Sequence, residues 1–416
     1  MIPVAKCQFS RGEKNMITID GNQFRINGVR RPYVFRSSFC LMAHYLNGNR
    51  NAARDWLDRI QEQGFDGPRV FGENQDWSGG PFYGLEQFTP RAQAFPESYS
   101  GAFSKLPLVS GYEEAVRQLI EDLNARHMVG EFCCIATVKG RDTEWTEHGL
   151  NRFAQMFREL LGSQNNSPLI FETVNEVDAH SKVDSSQWPN LGLRWRRVGT
   201  DEAHHNFPGS VVGISAGGKW EPGFDDLSYT HRNIHPPRGE KWYLGRDKVE
   251  SITVTIDVLK NKNGANSRPL AFNETVHYMT PEQWDYWVPR IPKWAGLSTM
   301  DNNKLARWTD DVLKAGVSVC AHDLIGQMTD PYAPISRMEE DWAEILGGSV
   351  APPEPEPHFA YGHIVEKAYQ DVLLRKVDPS GLESWNGFLA NGGTEAQLRE
   401  ILMRSPEFKE RFEKNA

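Results

Sequence analysis

The sequence predicts an α/β chain: a (β/α)8 TIM barrel with a short N-terminal β-hairpin and a small C-terminal all-helical domain. Three observations carry this. Strand-like and helix-like segments alternate about eight times before residue 349. The strand-like runs are apolar throughout, as strands covered on both faces must be. A proline- and glutamate-rich break at 350–357 is followed only by short amphipathic helices. An open doubly wound sheet is the competing architecture, but no early glycine-rich phosphate loop marks one.

The elements follow in order. Residues 16–29 alternate apolar and polar around Asp20-Gly21, which predicts the hairpin. Tyr33-Val34-Phe35 is the first barrel strand. Ala53, Trp56, Leu57 and Ile60 then recur at helical spacing. A strand at 65–71, a helix at 112–126, a strand at Met128–Ile135 and a helix at 148–161 come next, before the run Leu169–Val174. In the second half, strands are expected at 210–215, 227–231 and 269–272, with a helix over roughly 240–260. A helix at 302–314, a strand at 317–321 and a helix at 337–345 complete the series. The connections at 72–111 and 177–209 read as long loops without clear structure, leaving the end of the barrel where function resides. The expected division is 1–349 for the barrel, 350–358 for the linker and 359–416 for the helical module.

Composition excludes some functions. The chain has 416 residues, is 39% hydrophobic, and carries a formal charge of −9 from 46 Lys and Arg against 55 Asp and Glu. That composition supports a sizeable core, and an acidic balance argues against nucleic acid as partner. No apolar run approaches a membrane span, so no membrane insertion is expected. Met1–Cys7 has neither the basic start nor the apolar core of a secretory signal. That reading places the protein in the cytoplasm, or in a phage virion or released by a non-classical route. Cys7, Cys40, Cys133, Cys134 and Cys320 lack metal-like spacing and read as ordinary thiols. His204-His205 does not have the spacing of a helical zinc site. No metal or cofactor is expected.

The chemistry concentrates in two pairs. Asn175-Glu176 closes the run Leu169–Val174, and Asn273-Glu274 closes Pro269–Phe272. Carboxylates at the ends of two strands can break a glycosidic bond, one as general acid and one as nucleophile. Of the thirteen tryptophans, Trp77, Trp145, Trp188 and Trp220 fall in loop-like surroundings. An exposed indole offers a flat apolar face to a sugar ring. Trp220, after Ala216-Gly-Gly-Lys219, is the best-placed platform. Tyr229, His231 and His235 follow or flank the expected sixth strand and are candidate sugar or carboxylate partners.

With these residues in view, the chain resembles the superfamily of retaining (β/α)8-barrel glycoside hydrolases that includes cellulases and mannanases. The hairpin with Asp20-Gly21 and Ile26-Asn27-Gly28 is similar to its entry hairpin. Gly64–Val70 is similar to its second strand, whose arginine, here Arg69, supports the nucleophile. Phe171–Glu176 is similar to the fourth-strand segment. There the resemblance implies Glu176 as acid/base and Asn175 as ligand of the sugar 2-hydroxyl. Pro269–Glu274 is similar to the seventh strand and implies Glu274 as nucleophile. Departures are visible. The eighth-strand region reads Cys320-Ala-His322-Asp323 where an aromatic platform is usual, which puts His322 there. The third strand ends Cys-Cys-Ile-Ala-Thr, without the polar ligand common in cellulases.

The expected function is therefore hydrolysis of a β-linked polysaccharide or oligosaccharide by retention, or, alternatively, a non-catalytic glycan-binding or structural protein on the same scaffold. The C-terminal segment, with Tyr369–Leu373, Asp378–Trp385 and Ser405–Phe408, resembles a small helical module of unassigned function found in secreted bacterial and phage-encoded proteins. Asp378-Pro-Ser-Gly381 reads as a tight turn and not a calcium loop. With no cluster of strand-end polar groups, 359–416 is expected to anchor the protein to a particle or cell surface.

Overall fold

The computed structural model describes residues 16–74, 92–96, 99–102, 105–137, 143–162, 167–175, 177, 186, 188–196, 207, 209–216, 229–235, 241–243, 249–251, 268–273, 309–321, 337–348, 361–390 and 393–409. They fall into two compact units, residues 1–350 and 351–416.

The first unit opens with an antiparallel meander: β1 (Ile17–Asp20), β2 (Gln23–Ile26) and β3 (Val29–Arg30). The expected hairpin thus gains a short third strand. Asn27 and Gly28 form the second turn with φ of 48° and 81°, the left-handed region that Asn and Gly tolerate best. Alternation along β1 and β2 puts Ile17, Phe24 and Ile26 on one face. That face packs against Tyr33, Phe35, Val129, Ile170, Val211, Ala271 and Cys320, which come from six different barrel strands or the residues leading into them. The meander therefore plugs the amino end of the barrel.

The barrel follows. Its strands are β4 (Val34–Ser38), β5 (Gly67–Asn74), β6 (Gly130–Thr137), β7 (Leu169–Val174), β8 (Val212–Gly213) with β9 (Ser215–Ala216), β10 (Arg232–Ile234), β13 (Leu270–Phe272) and β14 (Ser318–Ala321). Between β10 and β13 lies an antiparallel pair, β11 (Lys241–Tyr243) and β12 (Val249–Ser251). The parallel sheet runs β8-β7-β6-β5-β4-β14-β13-β10-β9. Its two ends, β8 and β9, are consecutive pieces of one stretch, so the ring comes round on itself at Ile214. His231 approaches this strand closely: a Cβ at Gly213 would lie 2.5 Å from its ring nitrogen.

Inward and outward positions alternate along most of each strand, and the parity changes at the carboxyl ends of β6 and β7, where Ile135 and Val174 join the outer core. Val34, Val70, Phe132, Leu169, Phe171, Val212, Ile234, Phe272 and Val319 join the outer core beneath the helices. Those helices are α1 (Leu41–Leu46), α2 (Arg50–Glu62), α3 (Tyr112–Ala125), α4 (Thr143–Leu161), α5 (Trp188–Arg196), residues 309–314, and α6 (Arg337–Leu346). One aromatic chain binds α4 and α5 to the sheet. Phe157 meets Phe132 at 4.8 Å and Phe171 at 4.6 Å, and Phe171 meets Trp195 at 5.2 Å and Phe207 at 5.6 Å. Each such pair adds about 0.5–1.5 kcal/mol beyond its buried area.

First strand and last helix are joined by charge. The Glu339 carboxylate on α6 accepts hydrogen bonds from Arg36 Nη1 (2.7 Å), Arg59 Nε (2.8 Å), Arg59 Nη2 (2.7 Å) and Gln63 Nε2 (2.9 Å). All four residues are buried, and both guanidinium groups lie over the Trp56 ring.

Four expectations need correction. The helix expected over 240–260 is absent at 241–243 and 249–251, which pair as strands. Trp242, Tyr243 and Val249 are residues that favour the pleated form. The sixth strand begins at Arg232 and not at 227, because His231–Asn233–His235 supply the inward positions. The connection 177–209 contains α5, where Trp188, Leu191 and Trp195 recur at helical spacing. Trp145 likewise lies on α4, edge-on to Phe95, and Trp188 begins α5, so neither sits in a loop. The linker at 350–358 and the residues 302–308 lie outside the described residues.

The second unit holds α7 (Gly362–Leu373), α8 (Pro379–Ala390), α9 (Glu395–Met403) and α10 (Pro406–Phe408). Val365, Ala368, Tyr369, Leu373, Leu389, Leu398 and Leu402 form its own core. Thr394 and Gln397 close a reciprocal capping box, and Ser405 caps α10 with Pro406 at the first helical position. The Asp378 turn is the start of α8: its Oδ1 accepts the Gly381 N–H at 2.9 Å.

Close backbone approach between β5 and β6 leaves less room than at any other described glycine. A Cβ at Gly67 would lie 1.6 Å from the Val129 carbonyl oxygen, which is backbone and cannot swing aside. Gly67→Ala should cost about 3 kcal/mol or more of barrel stability, read by urea unfolding. A cost under about 0.5 kcal/mol would show that the strands separate freely there.

Candidate active site

Continuing the inward parity towards the carboxyl ends of the strands, the apolar plug gives way to polar side chains. Arg69 on β5, Glu131 on β6, Glu172 on β7, Ser215 on β9, and His231 and Asn233 of the β10 segment are all 0% exposed. Asn273 follows β13 and is also fully buried; Asn175 follows β7 at 6%.

Arg69 organises the group. Its Nε and Nη2 donate to Glu172 Oε2 at 2.9 and 2.7 Å, and Nη2 donates to Asn175 Oδ1 at 2.6 Å. Its Nε lies 3.6 Å from Glu131 Oε2. The guanidinium stands 4.6 Å over the Phe71 ring, which stacks on Phe39 at 4.0 Å. Arginine suits this role because its planar fork serves two acceptors at once.

Glu131 is shared in turn. Asn233 Nδ2 donates to its Oε1, and Asn273 Nδ2 donates to its Oε2 at 3.1 Å. His231 Nε2 lies 3.9 Å from Oε1. Both strand-end asparagines are also held by backbone. The Asn175 N–H donates to the Ile135 carbonyl at 2.9 Å, and the Asn273 N–H to the Ile234 carbonyl at 2.9 Å.

Burial governs the electrostatics. It lifts the Glu172 carboxyl above its usual value by disfavouring the charge; Arg69 opposes this, Glu131 reinforces it, and His235 and Ser215 pull it back down. Burial also pushes the Cys133 and Cys134 thiols well up. They stay protonated and inert, and Cys40, Cys133, Cys134 and Cys320 are all free thiols. Among the described residues no cluster of His, Cys, Asp and Glu is arranged to hold a metal.

The sequence-derived candidates separate on this geometry. Arg69 and Asn175 are in direct contact. His235 follows β10 at its carboxyl end, where its charge is felt by Glu172. His231 is in the interior but deeper, edge-on to Phe24 of the plug at 5.5 Å. Tyr229 is not brought to the group. With β10 starting at Arg232, Tyr229 falls at the amino end of its strand and packs in the outer core. Glu176, Glu274, Trp220 and His322 lie outside the described residues, as do Trp77, His204, His205 and Cys7.

Glu131 and Glu172 escape a reading by motif. Their signal is in the sequence all the same: each is the single charge in an otherwise apolar strand, at an inward position. A carboxylate there must be paired inside the barrel or not exist.

Glu172 binds its proton more tightly folded than unfolded. Its contribution to stability is therefore full below its ordinary value of 4.5 and is lost as pH rises through the folded value. Arg69→Met removes the cation opposing that shift and widens the window. The variant should lose about 3–5 kcal/mol near neutral pH and clearly less near pH ~5. Urea unfolding followed by tryptophan fluorescence checks this; equal losses at the two pH values would refute the pairing.

Comparison with known proteins bears on the fold. Residues 359–412 match the family described as "Domain of unknown function (DUF4214)". Among curated proteins, none matches the chain in sequence. A presumed glycoside hydrolase from Bacteroides vulgatus ATCC 8482 superposes with a TM-score of 0.54 at 13% identity, covering 81% of this chain. The chain spans 61% of that structure's length. A family 5 mannosidase from Rhizomucor miehei gives 0.49 at 11% identity, covering 81% of this chain and 98% of its own. An endo-1,4-β-mannanase from the same fungus gives 0.47 at 11% identity, covering 74% and 90%. The first of these carries the conclusion: the barrel has a divergent glycoside-hydrolase-like (β/α)8 fold, joined to a separate helical module.

Proposed function

We propose that the barrel is a retaining glycoside hydrolase acting on a β-linked glycan, with Glu176 as acid/base and Glu274 as nucleophile. The observation that supports this most is the fixing of the two residues before them. Asn175 is locked to Arg69 and to the β6 backbone, and Asn273 to Glu131 and to the β10 backbone, each at the carboxyl end of its barrel strand. The carboxyl ends of barrel strands are where such enzymes work.

In this reading Glu274 attacks the anomeric carbon while Glu176 protonates the departing oxygen. Water then attacks the same carbon, giving its proton to Glu176 and displacing Glu274, so the sugar leaves with its configuration kept. The mechanism needs the two carboxyl groups about 5–5.5 Å apart. Asn175 presents its oxygen to Arg69, so its amide N–H groups turn the other way and suit the 2-hydroxyl of a bound sugar. His235, at the carboxyl end of β10, is assigned to the substrate side. Trp220 is assigned as sugar platform and His322 as a lining group. His231 and Tyr229 are assigned to the scaffold.

Glu274→Gly should abolish hydrolysis of a β-glycoside. Azide or formate with an activated β-aryl glycoside should restore product, and the product should have the α configuration, because the anion enters from the nucleophile's face. A β-configured adduct would overturn the assignment. Glycan binding without turnover, unchanged by the substitution, would instead mark a non-catalytic glycan-binding barrel. Because the second unit has its own core, ending the chain near residue 350 should leave turnover of a small soluble substrate within about tenfold of the full chain. A larger loss with the barrel still folded would place part of 359–416 in catalysis, against its assignment here as an anchor.

A further inference from the structure

We propose that Glu131 is a positioning residue for this reaction: it fixes the strand end that carries Glu274 and steadies the guanidinium that holds Asn175. The inference rests on the reading of the barrel mouth as a glycosidic site.

Glu131 is fully buried near the amino end of β6, between the inward positions of Val129 and Cys133. Packing alone gives no reason for a carboxylate there. Its strand neighbours fill the same face with apolar atoms, and a buried charge costs several kcal/mol unless fully paired. What the carboxylate does have is partners on three other barrel strands. Oε1 accepts from Asn233 and faces His231; Oε2 accepts from Asn273 and faces Arg69. Each oxygen thus joins one asparagine amide and one cationic or titratable group.

The two asparagines show that the arrangement is directional. Each directs an N–H donor at Glu131, while Asn233 Oδ1 and Asn273 Oδ1 are buried without a hydrogen-bond partner among the described residues. Either amide could have satisfied its oxygen by flipping if Glu131 were a donor. As an acceptor only, the carboxylate forces both amides into one orientation. Asn273 is the residue immediately before Glu274, so its side-chain bond to Glu131 and its backbone bond to Ile234 together set the departure of the chain from β13. Misplacement by about 1 Å at a reacting group is worth about 100-fold in rate.

Glu131→Gln keeps the shape but sets an amide donor against at least one asparagine donor. In the full chain, on dinitrophenyl β-glucoside and β-mannoside, it should lower kcat about 100-fold with KM within about threefold, because the loss falls on the reacting geometry and not on sugar binding. Glu131→Asp, which stays an acceptor, should recover at least about tenfold of that loss. Asn273→Ala removes the same link while leaving Glu131 its bond to Asn233, and should show the same kcat-selective loss even if Glu131→Gln does not fold. Folded variants with wild-type kcat, a loss confined to KM, or a Glu131→Asp no better than Glu131→Gln would each overturn the proposal. A folded wild type inactive on these glycosides would overturn the reading of the site together with it; an active wild type with an indifferent Glu131→Gln overturns this inference alone.

Discussion

A guanidinium with no exposure to water sits inside the barrel, and the rest of the interior is arranged around it. Arg69 cannot shed its proton, so its charge must be met on the spot. Glu172 and Asn175 meet it directly, from the strand beyond β6, and Glu131 flanks it from β6 itself. Once Glu131 is there, its own lone pairs need donors, and Asn233 and Asn273 supply them from the far side of the ring. One buried cation thus ties β5, β6, β7, β10 and β13 into a single polar network. Networks of this kind specify one arrangement because partial satisfaction is costly. The strand ends that precede Glu176 and Glu274 are both members of it.

That network is stable only in a closed ring. Two devices close this one. The fifth strand divides at Ile214, so that β8 pairs back to β7 and β9 forward to β10. The buried Arg36–Glu339–Arg59 group joins the first barrel strand and its helix to the last helix, across some 300 residues of chain. Glu339 receives four hydrogen bonds, and Gln63 supplies the neutral one. Three charges taken out of water gain little net stability. Their geometry does what apolar contact cannot: it fixes the rotation of α6 on α2, since only one placement meets all four donors. The meander then fills the amino end with Ile17, Phe24 and Ile26, and keeps water from entering the polar interior from below.

The legible and illegible parts of this chain divide along physical lines. Barrel strands read clearly because both faces are covered and each run is apolar. The helices from α2 to α4 read clearly because one stripe must face the sheet. The C-terminal helices are announced by their caps: Thr394 with Gln397, and Ser405 before Pro406. Arg69 and Asn175 are legible as members of a motif, and the structure puts them in contact. Tyr229 is misplaced by sequence because Leu227–His231 is as strand-like as the five residues after it, and only the pairing of Arg232 with Leu270 fixes the register. A shift of a few residues carries a side chain from the mouth to the opposite rim. The 240–260 stretch misleads because its apolar residues fit a helical spacing as well as a strand, and only the pairing of 241–243 with 249–251 decides between them. Glu131 and Glu172 are easily passed over because a lone charge in an apolar run looks like an interruption. In a closed barrel it is the reverse, since only a paired charge survives there.

The interior holds its two acids in different surroundings. Along the inward positions the environment changes from the apolar plug to the Arg69 group within a few residues of each strand. Two carboxyl groups face one arginine. Glu172 holds the closer contact, yet burial still lifts it above the ordinary carboxylate range, with Glu131 adding to the effect. Glu172 is the member nearer the mouth. Glu131, whose oxygens are committed to two amide donors, is the member whose acceptor role the structure needs. Both Glu131 oxygens accept from asparagine amides, whereas Glu172 Oε2 accepts twice from the Arg69 guanidinium. The two interior acids therefore differ in role. Glu131 accepts from two asparagines and holds β10 and β13, and Glu172 holds the Arg69 fork.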